Sequence, residues 1–405
     1  MSSVARYDYN EIVKKVQDYC VRREIPVPRW RRQNQINPEE ELAFHANVLR
    51  AMKELKLDVA EEDRQAVARE VANRITGLGV LQPYLEQEGV EEIIVRKGFV
   101  QVERSGQIHD VGEVAPDEYF YRMTRRIADL EGKEIGAEDP QIKLGLPDGS
   151  RFTAAIPPLS REGTAINIRR FSRKKLTFED LIEFKAIDAE TAEFLKGVAR
   201  MMDKSAIFSG RPGAGKTTIL NAFTQYLPKH CQLSLVETFQ EVQPQLAHYA
   251  HLVVEEGHGE VGRVVNVVFL RMRPDVMIIG ETVSEEAIEF IMGLNLGITA
   301  YTTTHAHSAR LAMTRIETLS RGSGIPLDER REIIGSGLGL AVHIHKGYDP
   351  DSQQYKRFMR EMIAVHGVTR GTGEAVEYDY EVIKEYDARR KTWTPLREPR
   401  RWREM

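Results

Sequence analysis

The stretch "FSGRPGAGKTTILNAF", residues 208–223, constrains the fold more than any other part of the chain. From Gly210 to Thr217 it has the spacing G-x-x-x-x-G-K-T, in which glycines bend the backbone so that successive N–H groups face one phosphate. The flanks supply what such a loop needs. "SAIFS" (205–209) reads as a short buried strand, and "TTILNAFTQYL" (217–227) sets Ile219, Leu220, Phe223 and Leu227 at helical spacing. Strand, glycine loop and helix N-terminus together direct backbone donors and the positive end of a helix dipole at the β- and γ-phosphates. Gly210, Pro212, Gly213, Ala214, Gly215, Lys216, Thr217 and Thr218 are the candidate nucleotide-binding residues. Lys216 brings a point charge to the phosphates, and the Thr217 hydroxyl can ligate Mg²⁺. The expected ligand is ATP or GTP.

A loop of this kind requires a parallel sheet around it, and the sequence provides one. "CQLSLVE" (231–237), "HLVVEE" (251–256), "DVMIIGE" (275–281) and "ITAYTTTH" (298–305) are short apolar or β-branched runs separated by helix-length segments. They predict a mainly parallel, doubly wound sheet over 179–347. Ahead of it, residues 1–75 read as a helical, highly charged extension. Residues 76–171 read as a small α/β domain, with a hairpin in "VEEIIVRKGFVQVERSGQIHDV" turning at Ser105-Gly106. "SRKKLTF" (172–178) reads as a linker, and Thr177 with Asp180 as the capping start of a helix. Residues 348–405 read as an antiparallel add-on with a basic tail, "REPRRWREM".

Composition limits the functional classes. The 405 residues are 41% hydrophobic and 29% charged, enough for two or three packed domains, and the net charge of −4 argues against an obligatory nucleic-acid partner. Two cysteines, Cys20 and Cys231, stand in no redox or zinc spacing and fit a reducing cytoplasm. The N-terminus has no secretory apolar region and no run is long enough to span a bilayer, so any membrane role is expected to be peripheral. The basic segment "VRREIPVPRWRR" (21–32) reads as a solvated linker or as a membrane or partner contact.

Three further segments narrow the class. "LRMRPDVMIIGETVSEEA" (270–287) resembles the Walker B segment of the type II/type IV secretion ATPases, "TTTHAHSARLAMTRIETL" (302–319) their His box, and "LVETFQEV" (235–242) their acidic box. In the small domain "GLGVLQPYL" (77–85), "VEEI" (90–93), "DGSRFTAAIPPL" (148–159) and "INIRRF" (166–171) are similar to the Tad/Flp pilus branch. The resemblance spans roughly residues 70–390.

It implies an α/β fold class: a P-loop, RecA-like nucleotide domain with a smaller α/β N-terminal domain. The implied activity is ATP hydrolysis with Mg²⁺. Glu281, at the end of an apolar strand, is the candidate that orients and partly deprotonates the attacking water; its other reading is a helix-capping charge. Glu241 either holds Mg²⁺ or its water shell, beside Thr217, or is a helix-start acid. His305 is a γ-phosphate sensor or a structural histidine. Arg151, Arg169 and Arg170 match family arginines that reach the nucleotide phosphates, from the same chain or a neighbour; otherwise they are solvated strand-end charges. The resemblance further implies a homo-oligomer, a hexameric ring, working at the inner face of the membrane on a platform protein. Thr238 stands where the family has Asp, Val283 where it has Arg and His307 where it has Asn. The basic segments keep a DNA-transfer ATPase open, and the altered acidic box a scaffold with little turnover.

Overall fold

The structure is a computed structural model that describes residues 7–28, 38–104, 106–146, 148–171, 176–254, 260–284, 286–350, 353–370, 376–400 and 402. Ser105 of the expected turn, residues 29–32 of the basic segment, 172–175 of the linker, 255–256 of one expected strand, and 401 and 403–405 of the tail lie outside them. The chain divides into two units, Met1–Ser172 and Arg173–Met405.

The first unit begins with α1 (Tyr9–Arg22), α2 (Pro38–Glu54) and α3 (Arg64–Thr76). Val67, Val71 and Ile75 recur at helical spacing along α3 and pack with Val16 and Val48 of the other two, closing a small helical core. A short α4 (Gln82–Leu85) leads to β1 (Val90–Arg96), β2 (Phe99–Arg104) and β3 (Gln107–Glu113). After α5 (Asp117–Leu130) come β4 (Gln141–Gly145), β5 (Arg151–Ala155) and β6 (Ala165–Arg169). They pair antiparallel in the order β3-β2-β1-β6-β5-β4. Burial alternates along β5 and β6, so Phe152, Ile166 and Ile168 face α5 while Arg151 and Arg169 stand on the opposite side. The 90–111 run thus contains a second turn. Lys97 and Gly98 take φ of +48° and +89°, and a Cβ at Gly98 would meet the Ala115 carbonyl at 2.8 Å.

In the second unit a capping box at Thr177 and Asp180 opens α6 (Phe178–Glu183), followed by α7 (Ala189–Met201). Next come β7 (Ser205–Gly210), α8 (Lys216–Thr224), β8 (Leu233–Glu237), β9 (Ala250–Val253), α9 (Glu260–Val267) and β10 (Val276–Thr282). The unit continues through α10 (Glu286–Asn295), β11 (Thr299–Thr304), α11 (Ala309–Leu319), α12 (Leu327–Gly337) and β12 (Leu338–Asp349). β13 (Gln354–Arg370), β14 (Val376–Asp387) and β15 (Thr392–Trp393) complete it. The sheet order is β15-β14-β13-β12-β7-β11-β10-β8-β9, parallel from β12 to β9. Phe208 and Ile278 bury into one face and their neighbours Ile207 and Ile279 into the other. That two-sided burial is why the strands read as unbroken apolar runs. β12 is parallel to β7 and antiparallel to β13, so the C-terminal strands prolong this sheet instead of forming a layer of their own.

Candidate active site

The loop after β7 depends on its glycines. A Cβ on Gly210 would stand 2.5 Å from the Ile344 carbonyl, while Gly213 and Gly215 hold φ of +67° and +96°. Only glycine occupies all three without strain. The turn delivers Lys216, 7% exposed, as the first residue of α8, with Thr217 and Thr218 following in its first turn.

Two strand ends meet the loop. On β11 the threonines of "TTTH" are buried, which costs free energy unless each hydroxyl is bonded. They are: Thr303 Oγ1 donates to the Gly280 carbonyl at 2.9 Å, Thr304 Oγ1 to the Thr282 carbonyl at 2.8 Å, and Thr302 pairs with the Thr282 hydroxyl at 2.7 Å. These clips fix the end of β11 to β10 where the ladder register shifts, between Ile279 and Thr282. Glu281 sits in that irregularity and His305 just beyond β11. Lys216 Nζ lies 3.4 Å from Glu281 Oε1 and 3.1 Å from His305 Nδ1, and His305 Nε2 lies 3.1 Å from the same Glu281 oxygen. A ring protonated on Nε2 satisfies both contacts, accepting from the lysine and donating to the carboxylate. Burial alone would push the Glu281 carboxyl up, but the His305 hydrogen bond and the Lys216 charge outweigh it and bring the pKa down to about 2.

The third edge is the acidic box. Thr217 Oγ1 donates to Glu241 Oε2 at 3.2 Å, which sets a hydroxyl and a carboxylate side by side. Glu241 is positioned by Glu237, whose Oε2 accepts the N–H groups of Glu241 and Val242 at 3.0 and 3.1 Å. Glu237 Oε1 in turn meets His251 Nε2 at 2.8 Å. Burial raises the Glu237 pKa, against the lowering effect of His251 and the two N–H donors. Asn221, one turn after Thr217 on α8, donates to the Glu241 carbonyl and accepts from Gln243 N. Gly280 admits this arrangement, because a Cβ there would stand 2.8 Å from Glu237 Cβ. Sequence reasoning named Glu241 but not Glu237, His251 or Asn221. The acid lay within the quoted box, and Asn221 shares a helix face with Thr217; His251, on the next strand, left no local signal.

The arginines belong to the first unit. Arg151 and Arg169 stand directly opposite one another on β5 and β6, and Glu92 of β1 faces Arg169 from the other side. Two like charges in cross-strand register are unfavourable unless anions share them. Arg170 is engaged differently: its guanidinium donates to the Gln87 carbonyl and its N–H to the Glu91 carbonyl.

Among the described residues no cluster of three or more His, Cys, Asp or Glu could hold a metal by itself. The Thr217–Glu241 pair nonetheless presents hard oxygen donors next to the phosphate loop, which fits a magnesium ion completed by phosphate oxygens and water.

A family model described as "Type II/IV secretion system protein" matches residues 79–344, and the chain belongs to that family. An uncharacterized protein of Methanocaldococcus jannaschii, MJ0781, is 29% identical over 62% of this chain, which spans only 36% of that relative's length. The type IV secretion system protein VirB11 of Brucella suis biovar 1 is 24% identical over 70% of this chain and 88% of its own. Among solved structures, the Yersinia pseudotuberculosis ATPase DotB is 13% identical with a TM-score of 0.49, covering 67% of this chain and 75% of that one. No helix among the described residues is long and apolar enough to cross a membrane.

Proposed function

We propose that this secretion-family chain is an ATP-hydrolysing oligomeric motor that powers assembly of a Tad or type IV-like pilus, or secretion of protein, at the inner face of the membrane. The observation that carries the reading is the convergence of Lys216, Glu281 and His305 on the phosphate loop. Backbone N–H groups of Gly213 to Lys216 receive the phosphates, and Lys216 exchanges its carboxylate contact for them. That exchange frees Glu281 to hold the attacking water, whose proton it draws off as the bond to phosphorus forms. His305, hydrogen-bonded to Glu281, responds to the charge of the γ-phosphate. Thr217 and Glu241 would hold Mg²⁺, which supplies neutralisation of the phosphate charge when bound. Arg151, Arg169 and Arg170 are proposed to serve a neighbouring copy's nucleotide in a ring, hexameric by resemblance. Such an arginine contributes about 10³-fold or more to phosphoryl transfer. Opening and closing of the small domain would then convert hydrolysis into rigid-body movement against a membrane platform.

The Tad branch rests on the small-domain motifs; the names of the relatives favour a conjugation or type IV secretion ATPase as the second reading. Mixing tests the ring. Arg169→Ala retains a sound loop and Lys216→Ala retains the arginine, so the two inactive proteins, mixed, are expected to regain turnover at interfaces that pair intact halves. A dead mixture, or full activity in a protein that stays monomeric with nucleotide, contradicts the ring.

A further inference from the structure

A cavity of about 320 Å³ adjoins the phosphate loop on the side away from Glu281, between the end of β12, strand β13 and the start of α11. Arg211, inside the loop itself, Lys346 and Arg360 line it with permanent positive charge. His307, His343 and His345 add three imidazoles. His343 is 3% exposed and its Nδ1 lies 3.1 Å from Ser209 Oγ, so the wall is anchored to the strand that feeds the loop. Lys346 lies against the loop as well, its Nζ 3.2 Å from where a Cβ of Gly213 would stand. The carboxylate in the lining, Glu361, accepts the Ala309 N–H at 2.6 Å at the start of α11. His307 is one of the positions where the chain departs from the family pattern, and it has no part in the contacts around Glu281.

We propose that this cavity is a second oxyanion site, built to take inorganic phosphate as it leaves the loop. Three fixed cations against one engaged carboxylate give a strongly positive recess, and Arg211 belongs to both sites, so an anion passes from one to the other without leaving positive potential. His343 and His345 make the site responsive. Burial, then Arg360 among its charged neighbours, lowers the His345 pKa; His343 is brought down to about 4 by burial and then by His345, Arg360 and His307. A bound dianion reverses the repulsion, and the rings take up protons. The groups facing them are Ser209 on β7, Arg211 from the loop, His307 and Ser308 before α11, Lys346 on β12, and Arg360 and Glu361 on β13. Binding therefore tightens as pH falls. The proposal rests on the ATPase reading only for where the phosphate comes from.

The test is calorimetric titration of the full chain with sulfate, a dianion throughout the range used, after the loop is saturated with a non-hydrolysable ATP analogue and Mg²⁺. One sulfate per chain is expected, several-fold tighter at pH 6 than at pH 8, displaced by inorganic phosphate and not by excess ADP. Arg360→Gln, at an exposed position, should weaken it about tenfold, and Lys346→Gln comparably; Arg360→Lys should recover part of the loss. Absence of sulfate binding once the loop is filled, affinities in both Gln variants equal to wild type, or displacement by ADP alone would each overturn the site. A protein that binds sulfate this way yet releases no phosphate from ATP would defeat the ATPase reading and leave the site standing.

Discussion

Glu281 and Glu241 border the first turn of α8 from two sides, and they are held by different forces. Glu281 is fixed by charge: Lys216 and His305 are its partners, and the threonine clips of β11 set the strand end that carries it. Glu241 is fixed by backbone: its own N–H is bound by the buried carboxylate of Glu237, and its side chain accepts from the Thr217 hydroxyl. Charge contacts can be exchanged when a phosphate competes for the lysine, whereas backbone contacts persist. On the proposed reading, the responsive step therefore falls to Glu281 and a static, metal-side role to Glu241.

The largest expected effect comes from removing the backbone anchor. Glu237→Ala leaves His251 and two N–H groups without their buried acceptor, a loss of about 3 kcal/mol of unfolding free energy in urea titration. The same variant should raise the Mg²⁺ concentration needed for turnover, because the Glu241 segment loses its anchor while Glu281 keeps its partners. Unchanged stability together with an unchanged Mg²⁺ requirement would show that Glu237 positions nothing.

Opposite pH responses sharpen the contrast. The Glu281 pKa of about 2 lies below its ordinary 4.5, so the stability it contributes is complete above that value and is lost as pH falls toward 2. Glu237 is shifted the other way. The folded chain retains its proton above the pH at which the unfolded chain releases it, so stability falls as pH rises through that window. Thermal midpoints measured against pH should show Glu281→Gln flattening the acid limb and Glu237→Gln the opposite slope. Two slopes of one sign would refute the assigned environments.

The smallest effect is at Thr238, half-exposed beside Glu237. Thr238→Asp adds an acid near the Mg²⁺ side and is expected to raise turnover, or lower the Mg²⁺ requirement, by a few-fold. No change in either would make this departure from the family pattern neutral.

What the sequence disclosed follows the same division. The loop, its strand and its helix were legible because glycine conformation and apolar spacing are local, and the parallel strands because burial on both faces leaves unbroken runs such as "DVMIIGE". Glu281 and His305 were legible as strand-end residues. The Glu237–His251 pair was not, since it joins residues 14 apart through the pairing of β8 with β9. The Lys97-Gly98 turn was readable in principle; the longer alternation from 90 to 111 masked it. The cavity around His343 and His345 depends on how β12 lies along β7, which no spacing reveals. The register that sets Arg151 opposite Arg169 came only with the sheet.

The most direct test of the account compares Glu281→Gln with Glu241→Gln in one experiment, measuring fluorescent-nucleotide affinity and phosphate release across a Mg²⁺ series. The account predicts that Glu281→Gln binds ATP as wild type does and loses turnover by about a hundredfold or more at every Mg²⁺ concentration. It predicts that Glu241→Gln recovers most of its turnover when Mg²⁺ is raised about tenfold. A Glu281→Gln protein that hydrolyses ATP at the wild-type rate, beside a Glu241→Gln protein that no Mg²⁺ concentration rescues, would contradict it.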